Sequence, residues 1–278
     1  MTKILKDLFL KMDALQQKWL VRIILKDMKL GIGENGIINT MHPDGKDYFE
    51  VQADLEKVCL KLKDPTKRLH QLEVTLMSPF RPQLADRKPI MDIVKHLKDK
   101  QFYIETKYDG ERCQLHKQGD KFRFFSRNGF DFTNDFGESS KDVGKFVYYF
   151  KKSLKCSVTD VILDGEMCAW SKENQCLLQK GEQFNIRQLK EDDPKAQQCL
   201  VLYDIIHLDG RMLSSTPLKE RKKILESIIT EQEGRVQFCQ RTEARTGKEI
   251  MDSLNLAIDR REEGLVIKDV MSPYKPGK

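Results

Sequence analysis

Lys107 is the residue of this 278-residue chain whose setting most favours chemistry. It opens the hexapeptide Lys107-Tyr108-Asp109-Gly110-Glu111-Arg112. The preceding run, residues 102–106, predicts a strand, and Asp109-Gly110 is a turn signal, so the amine is expected at the rigid end of a strand. A lysine held in this way can act as a covalent nucleophile. The alternative is a hairpin with a solvated lysine, and for the hexapeptide alone this is the commoner outcome.

If Lys107 is a nucleophile, its surroundings must lower the pKa of its amine. Only a neutral amine attacks phosphorus, and at an ordinary pKa of about 10.4 roughly one lysine in 2,500 is neutral at pH 7. Deprotonating the amine at pH 7 therefore costs about 4.6 kcal/mol of free energy. Burial and a second cation nearby both lower the pKa of a lysine. We therefore expect other basic residues to converge on Lys107, with carboxylates available to hold a metal ion.

Four further segments carry chemically useful residues, although each has a plainer explanation when taken alone. The first follows an alternating pattern and is typical of a hairpin turn, and the second is an apolar, β-branched run that ends by presenting an acid. The third is a strand in which an ordinary core tyrosine is the alternative. The fourth is a turn and a short strand ending in a lysine that could be a solvated edge charge. In chain order they are Phe125-Ser126-Arg127-Asn128-Gly129, Val161-Ile162-Leu163-Asp164-Gly165-Glu166, Leu200-Val201-Leu202-Tyr203-Asp204-Ile205-Ile206 and Arg261-Glu262-Glu263-Gly264-Leu265-Val266-Ile267-Lys268.

The order and separations of these five segments resemble the nucleotidyltransferase signature of ATP-dependent DNA ligases. That family also includes RNA ligases and mRNA capping enzymes. More narrowly, residues 105–112, 125–129 and 19–31 look like the eukaryotic ligase IV branch, which seals DNA breaks in non-homologous end joining. The resemblance runs from about Trp19 to the last residue.

The resemblance implies that ATP is the cofactor and that Lys107 is the catalytic residue. Lys107 would attack the α-phosphate of ATP, which gives a lysyl-AMP phosphoramidate and releases pyrophosphate. Glu105 would meet the adenine, and Thr106 would lie beside it in the nucleotide pocket. Tyr203 matches the aromatic residue that stacks on the base; many relatives carry phenylalanine there, but stacking uses the ring face, so the hydroxyl should be tolerated.

Five charged residues complete the implied pocket. Arg112 and Arg127 would contact the ribose and phosphate side of the nucleotide, where a planar guanidinium makes paired hydrogen bonds. Glu166 and Glu263 match acidic residues near the ribose and the metal, and their hard oxygen atoms suit Mg²⁺. Lys268 would lie against the α-phosphate and help keep Lys107 unprotonated. AMP would then pass to a 5′-phosphate of double-stranded DNA with nicks or ends, and a 3′-hydroxyl would displace it.

Two other classes of function remain open. A capping guanylyltransferase or an RNA ligase would use the same chemistry, although the helical amino-terminal segment and the Glu105-Thr106 pair argue against both. A non-catalytic module that binds DNA ends or a partner is the second alternative. It gains weight because residues 272–278 end the chain before the lysine pair that closes the ligase nucleotide pocket, and before the oligonucleotide-binding barrel.

The resemblance therefore implies a fragment or truncated product. We expect weak or absent self-adenylation and no sealing of nicked duplex by this chain alone, because in-line geometry at the leaving group is unsupported. Efficient closure of a nick by purified residues 1–278 would contradict this expectation. Ligase IV relatives bind a coiled-coil end-joining scaffold through later modules, so that partner is expected for the full-length enzyme only.

The pattern of the chain predicts an α+β protein in which a helical N-terminal segment is followed by an ATP-grasp-like nucleotidyltransferase domain. Apolar stripes predict one or two amphipathic core helices in the first thirty residues, and further helices are predicted over 51–60, 90–97, 145–155 and 218–229. An extended connection over 75–85 precedes mostly antiparallel sheets with flanking helices. By resemblance, residues 1–74 are the carboxy-terminal part of a helical DNA-binding domain and residues 75–278 the truncated adenylation domain.

Composition permits these functions without proving them. The net charge of +6, with 33% charged residues, gives a basic but mixed surface that can attract phosphate. The seven cysteines are scattered, odd in number and without zinc-ligand spacing, and the five histidines show no i to i+4 pair, which is typical of a reduced intracellular protein without a structural zinc site. Neither a secretory signal nor a membrane-spanning run is predicted, and a nuclear location is implied by the resemblance alone.

Overall fold

The computed structural model describes residues 2–25, 27–69, 73–98, 100–178 and 185–277. Within these ranges the helices are α1 Thr2–Leu10, α2 Ala14–Ile24, α3 Glu34–Met41, α4 Gly45–Val51, α5 Leu55–Lys61, α6 Ile90–His96, α7 Thr133–Phe136, α8 Phe146–Ser153, α9 Leu218–Ile228 and α10 Gly247–Asp259. The strands are β1 Phe102–Thr106, β2 Glu111–Gln118, β3 Lys121–Ser126, β4 Asp160–Ser171, β5 Cys176–Leu177, β6 Ala196–Leu208, β7 Arg211–Met212, β8 Val236–Phe238, β9 Arg241–Ala244 and β10 Leu265–Asp269.

By their internal contacts the residues fall into two compact units. The first comprises Met1–Lys46 with Lys61–Leu69, and the second comprises Asp47–Leu60 with His70–Lys278. The boundary placed near residue 74 concerns the domains of the family and stays a prediction.

Helices α1 and α2 of the first unit confirm that the opening thirty residues are helical. Asp13 starts α2 through a capping box, in which its side chain accepts from the Gln16 N–H and the Gln16 side chain accepts from the Asp13 N–H. The prediction that their apolar stripe forms a core is wrong. Leu15, Ile23 and Ile24 are all more than half exposed. The described part of this unit places no apolar surface over them.

The helix predicted over 51–60 is interrupted, because α4 ends at Val51 and α5 begins at Leu55. The backbone between them bonds outside any helix: the Ala53 N–H donates to the Pro79 carbonyl at 2.8 Å. The Ser78 hydroxyl donates to Gln52 Oε1, also at 2.8 Å. The bond to Pro79 satisfies a backbone N–H that a continuous helix would have bonded internally.

The second unit contains two sheets, and it confirms the α+β class. The smaller sheet has the antiparallel order β10-β1-β9, and the larger follows the order β3-β2-β4-β6-β7, with β5 on β4 and β8 on β6. Only β8 pairs in parallel among the described strands, so the sheets are mostly antiparallel as predicted. No regular element is assigned between Val74 and Pro89, in agreement with the predicted connection.

The main core lies against the larger sheet, where α8 and α9 cover it. Phe146, Phe150 and Leu225 are at most 1% exposed and pack with strand residues such as Leu115 and Leu163. This placement confirms that the aromatic run within 145–155 is a helix whose apolar face belongs to the core. Within the ranges that the structure describes, no helix is long and apolar enough to cross a bilayer.

Candidate active site

Lys107 lies where the sequence predicts it, directly after β1. Its backbone N–H donates to the Gly264 carbonyl at 2.9 Å, which ties it to the turn before β10. Its amine forms an ion pair with the Glu263 carboxylate, and the two side chains are 46% and 39% exposed. Solvent and ligands can therefore reach the amine, and a carboxylate lies beside it as predicted.

Glu105 lies two residues earlier on β1 and is buried. Its Oε2 is 2.6 Å from the Lys268 amine on β10, and its Oε1 is 2.6 Å from the Lys222 amine on α9. Burial raises the pKa of a carboxyl, but the two ammonium groups outweigh burial and lower the pKa of Glu105 to about 2. Glu105 is thus an ionised, doubly paired carboxylate.

Tyr203 joins this buried ion cluster to the larger sheet. The Lys268 amine and the Arg112 guanidinium each lie 4.8 Å from the centroid of its ring. Burial opposes charge on Lys268, but the nearby Glu105 carboxylate more than offsets it and raises the pKa of Lys268. Two permanent cations therefore sit over one aromatic ring, a favourable arrangement for both.

Arg112 is held by a second buried network. Its Nε donates to Asp164 Oδ1 at 2.7 Å, and its terminal nitrogen donates to Asp164 Oδ2 at 2.6 Å. The Tyr274 hydroxyl donates to the same Oδ2 at 2.6 Å, and the Gln83 N–H donates to the Tyr274 hydroxyl at 3.1 Å. Asp164 itself is fully buried. The guanidinium plane is consequently fixed on β2 by partners from distant parts of the chain.

Glu166 is placed by strand register and Arg127 by a turn. Arg112 is paired with Glu166 across β2 and β4. The predicted strand end at Glu166 is wrong, since β4 continues to Ser171, with β6 paired along it and β5 paired with its last two residues. Arg127 follows Ser126, the last residue of β3, and lies in the turn in which the Gly129 N–H donates to the Ser126 carbonyl at 3.0 Å. Its side chain is exposed and makes no ion pair or hydrogen bond with the described site residues.

The structure therefore brings most of the predicted site together. Direct contacts link Lys107 to Glu263, Glu105 to Lys268, and both Lys268 and Arg112 to Tyr203. The Thr106 carbonyl accepts from the Cys239 thiol at 3.7 Å, at the end of β1. The ligand that each residue meets, and an approach of Lys268 to Lys107, stay predictions.

A family comparison shows which protein family the chain belongs to. Residues 82–278 match the model of the ATP dependent DNA ligase domain, and residues 1–42 match the DNA ligase N terminus. The chain belongs to the ATP-dependent DNA ligase family. The larger match covers β1 and β10 and thus every candidate site residue.

This ligase-family chain is also similar to curated relatives named DNA ligase 4. It is 43% identical to that of Gallus gallus and 42% identical to that of Homo sapiens, in each case over 276 residues and 99% of this chain. The chain spans 30% of the length of each relative. These similarities confirm the resemblance to the ligase IV branch.

Solved structures support the fold of the ligase-family chain. It superimposes on Pmar-Lig_Pre with a TM-score of 0.54 and 19% identity, covering 93% of this chain and 52% of the other. The related structure Pmar-Lig_PreS3 gives a TM-score of 0.52 at 18% identity, covering 93% and 52%. At this identity the likeness concerns the fold alone.

Sequence reasoning assigned no role to Lys222, which forms an ion pair with the candidate site residue Glu105. Lys222 is 2% exposed although it lies in the run Lys219-Glu220-Arg221-Lys222-Lys223, which reads as a solvated helix surface. A signal was present: Leu218, Leu225 and Ile228 form a buried helical stripe, and Lys222 occupies the same face four residues after Leu218. A cation on an apolar stripe requires a buried acid.

The described residues contain no group of three or more His, Cys, Asp or Glu side chains arranged to hold a metal ion. Mg²⁺ does not need such a group, because it keeps several waters and is bound by one or two carboxylates together with substrate phosphates. Glu263 and Glu166 are partly exposed and supply hard oxygen donors. Their chemistry fits Mg²⁺, provided that phosphate supplies further ligands.

Proposed function

We propose that this chain binds ATP at the end of β1 and transfers AMP to Lys107, as the first step of DNA joining by a ligase IV-type enzyme. The observation that carries the proposal is the contact set described above: a reachable amine at the end of β1, and an aromatic ring that carries two cations. Transfer of AMP from ATP needs all three features: the amine as nucleophile, the ring as a surface on which adenine stacks, and the cations to face the triphosphate.

The nucleophilic step requires a change at Lys107. As an ammonium ion paired with Glu263, the nitrogen has no free lone pair. Bound nucleotide brings phosphate oxygens to the amine, which exchanges its contact with Glu263 and loses a proton to solvent. The nitrogen then attacks the α-phosphorus, a P–N bond forms, and the bond between the α-phosphorus and the oxygen that bridges it to the β-phosphate breaks as pyrophosphate leaves. The nitrogen then releases a second proton to solvent, which gives the phosphoramidate.

The larger sheet positions the nucleoside. Tyr203 stacks on the adenine through its ring face. Arg112 cannot swing freely, because Asp164 holds two of its nitrogens, so it offers a fixed charge toward the ribose and phosphates. Arg127, exposed in the turn after β3, supplies a further cation. Glu105 and Thr106 line the base side.

Mg²⁺ is the metal that this site would use. Glu166 and Glu263 would hold it together with phosphate oxygens, and when bound it would supply neutralisation of the charge on the triphosphate.

The later steps follow from the family. AMP passes to a 5′-phosphate on double-stranded DNA, and the 3′-hydroxyl displaces it to close the break. We assign this activity to double-strand-break repair by non-homologous end joining in the nucleus. The coiled-coil scaffold partner belongs to the full-length ligase IV-type enzyme in this proposal.

Covalent labelling tests the first step. The purified chain is incubated with α-labelled ATP and Mg²⁺, and the adduct is separated under denaturing conditions. We expect a low yield of an acid-labile adduct that is lost in Lys107→Arg and retained in Lys98→Arg, an exposed lysine outside the site. GTP should give no adduct, whereas GTP labelling would favour a capping enzyme.

Calorimetric titration with ATP complements the labelling. We expect ATP to bind both wild type and Lys107→Arg, since the substitution keeps the charge. Absence of ATP binding by the wild type would overturn the proposed function. An adduct that persists in Lys107→Arg would remove Lys107 from its role.

A further inference from the structure

The buried carboxylate of Glu105 has two counter-ions where one would neutralise it. Lys268 contacts one oxygen and Lys222 the other, each at 2.6 Å. The two lysines come from β10 and α9 and lie 46 positions apart in the sequence. Lys222 lies outside all five segments that resemble the family signature.

The two lysines differ in what can reach them. The side chain of Lys268 is 25% exposed and lies over the Tyr203 ring, so a ligand on that ring can meet its amine. The side chain of Lys222 is 3% exposed, and its amine has Glu105 as its ion-pair partner. Lys268 is therefore exchangeable, whereas Lys222 is fixed.

Among the described neighbours of Glu105, no other cation can replace either lysine. Arg241, which is paired with Glu105 across β1 and β9, has its terminal nitrogen 2.6 Å from Glu226. Cys239 also lies beside this cluster, but burial raises the pKa of its thiol to about 12, so it stays neutral. Glu105 thus depends on its two lysines.

This dependence constrains any movement of Lys268. If Lys268 alone balanced Glu105, moving its amine to a phosphate would leave a buried carboxylate without a partner, which is strongly unfavourable. With Lys222 in place, Glu105 keeps one counter-ion throughout the exchange. The second lysine therefore lowers the free-energy cost of releasing the first.

We infer that Lys222 is a positioning residue for adenylation: it holds Glu105 so that the amine of Lys268 can leave Glu105 for the α-phosphate of ATP. The inference rests on the proposed function. It assigns no contact with the nucleotide to Lys222, which acts through Glu105 and Lys268.

Kinetics of adduct formation test this role. Lys222→Met should lower the adenylation rate at saturating ATP by about tenfold or more, because Lys268 stays on Glu105, while the half-saturating ATP concentration changes by less than about threefold. Lys222→Arg should restore the rate to within about threefold of wild type, since it keeps the cation. Lys223→Met is the matched control, since that neighbouring side chain is 72% exposed, and it should match wild type.

A double-mutant cycle separates positioning from a general effect on folding. In a Glu105→Gln background Lys268 is no longer tethered by a carboxylate, so adding Lys222→Met should change the rate by less than about twofold. The same loss in both backgrounds would overturn the inference, as would a Lys222→Met rate equal to that of wild type. A wild type that forms no Lys107 adduct would overturn the proposed function and the inference with it, whereas a normal adduct in Lys222→Met would overturn the inference alone.

Discussion

Two charge clusters at the candidate site differ in how firmly each is fixed. On the larger sheet, Arg112 is locked to the fully buried Asp164, which also receives the Tyr274 hydroxyl. Beyond the smaller sheet, the ion pair between Lys107 and Glu263 is about half exposed. One cluster fixes geometry, and the other leaves its amine exchangeable.

The difference explains how one site can be rigid and reactive at once. A buried pair with several hydrogen bonds is costly to break, because removing one partner leaves an uncompensated charge. An exposed pair contributes little and exchanges readily with ligand groups. The fold therefore places permanent contacts where orientation matters and a weak contact at the candidate nucleophile.

Asp164→Asn should give the largest loss of stability. It keeps the side-chain shape but leaves the Arg112 guanidinium without its counter-ion, so we expect the free energy of unfolding to fall by about 3 to 5 kcal/mol. Urea unfolding followed by circular dichroism measures the change. The matched control is Asp131→Asn, whose partner Arg123 is 3.2 Å away with both side chains 45% exposed, and which should cost less than about 1 kcal/mol. Equal losses in the two variants would contradict the contrast.

Gly110→Ala should have the next largest effect. A Cβ at Gly110 would lie 2.5 Å from the Met167 carbonyl oxygen, 2.8 Å from Glu166 Cγ and 2.9 Å from Cys168 Sγ, so the turn after Lys107 would have to move away from β4. Such overpacking costs typically about 1 to 3 kcal/mol. The control is Gly33→Ala, where a Cβ meets nothing within 4 Å. An unchanged urea midpoint for Gly110→Ala would show that the turn and β4 are not in close contact.

The elements that position the site could be predicted from sequence because their signals are local. Alternation and apolar runs give β1 and β10, and the turns beside them place Lys107 and Glu263 next to each other. The side chains that hold the site residues in place could not be predicted in this way. Lys222 and Tyr274 lie far along the chain from Glu105 and Asp164, and no local pattern encodes which acid meets which base.

Element boundaries were wrong where long-range bonds compete with local preference. Residues 51–60 have helical character, but the Ala53 N–H bonds Pro79 and divides the helix. The acid and glycine at 164–166 indicate a strand end, yet β4 continues because β6 pairs with it as far as Ser171 and β5 pairs with its last two residues. Tertiary hydrogen bonds decided both outcomes.

The buried histidine of the larger sheet should make the free energy of unfolding depend on pH. His116 accepts the Met77 N–H at 3.1 Å, and burial, followed by the charge of His207, lowers the pKa of His116 to about 3. The unfolded chain, with an ordinary histidine pKa of about 6.5, binds more protons than the folded chain as pH falls. The stability contributed by neutral His116 is therefore present above about pH 6.5 and is lost as pH falls below it. We expect a loss of about 1 kcal/mol between pH 6.5 and 5.5, where carboxyl groups contribute little. Urea unfolding across this range measures it.

Two variants isolate the contribution of His116. His116→Asn keeps a side-chain acceptor for the Met77 N–H and removes the titrating ring, so it should remove most of the dependence between pH 6.5 and 5.5. A smaller part should remain, because burial also lowers the pKa of His207. His96→Asn, at an exposed position, should leave the slope unchanged. If the slope survives in His116→Asn, another buried group carries it.

The smallest effect is expected at the pair that defines the exchangeable cluster. Because Lys107 and Glu263 are both well exposed, a double-mutant cycle with Lys107→Met and Glu263→Gln should give a coupling free energy of at most about 1 kcal/mol in urea unfolding. High salt should reduce it further, since exposed charges are screened. A coupling of several kcal/mol would mean that the pair is structural, like Arg112 and Asp164. Lys107 would then be held too firmly to exchange its carboxylate for a phosphate, and the contrast between the two clusters would not hold.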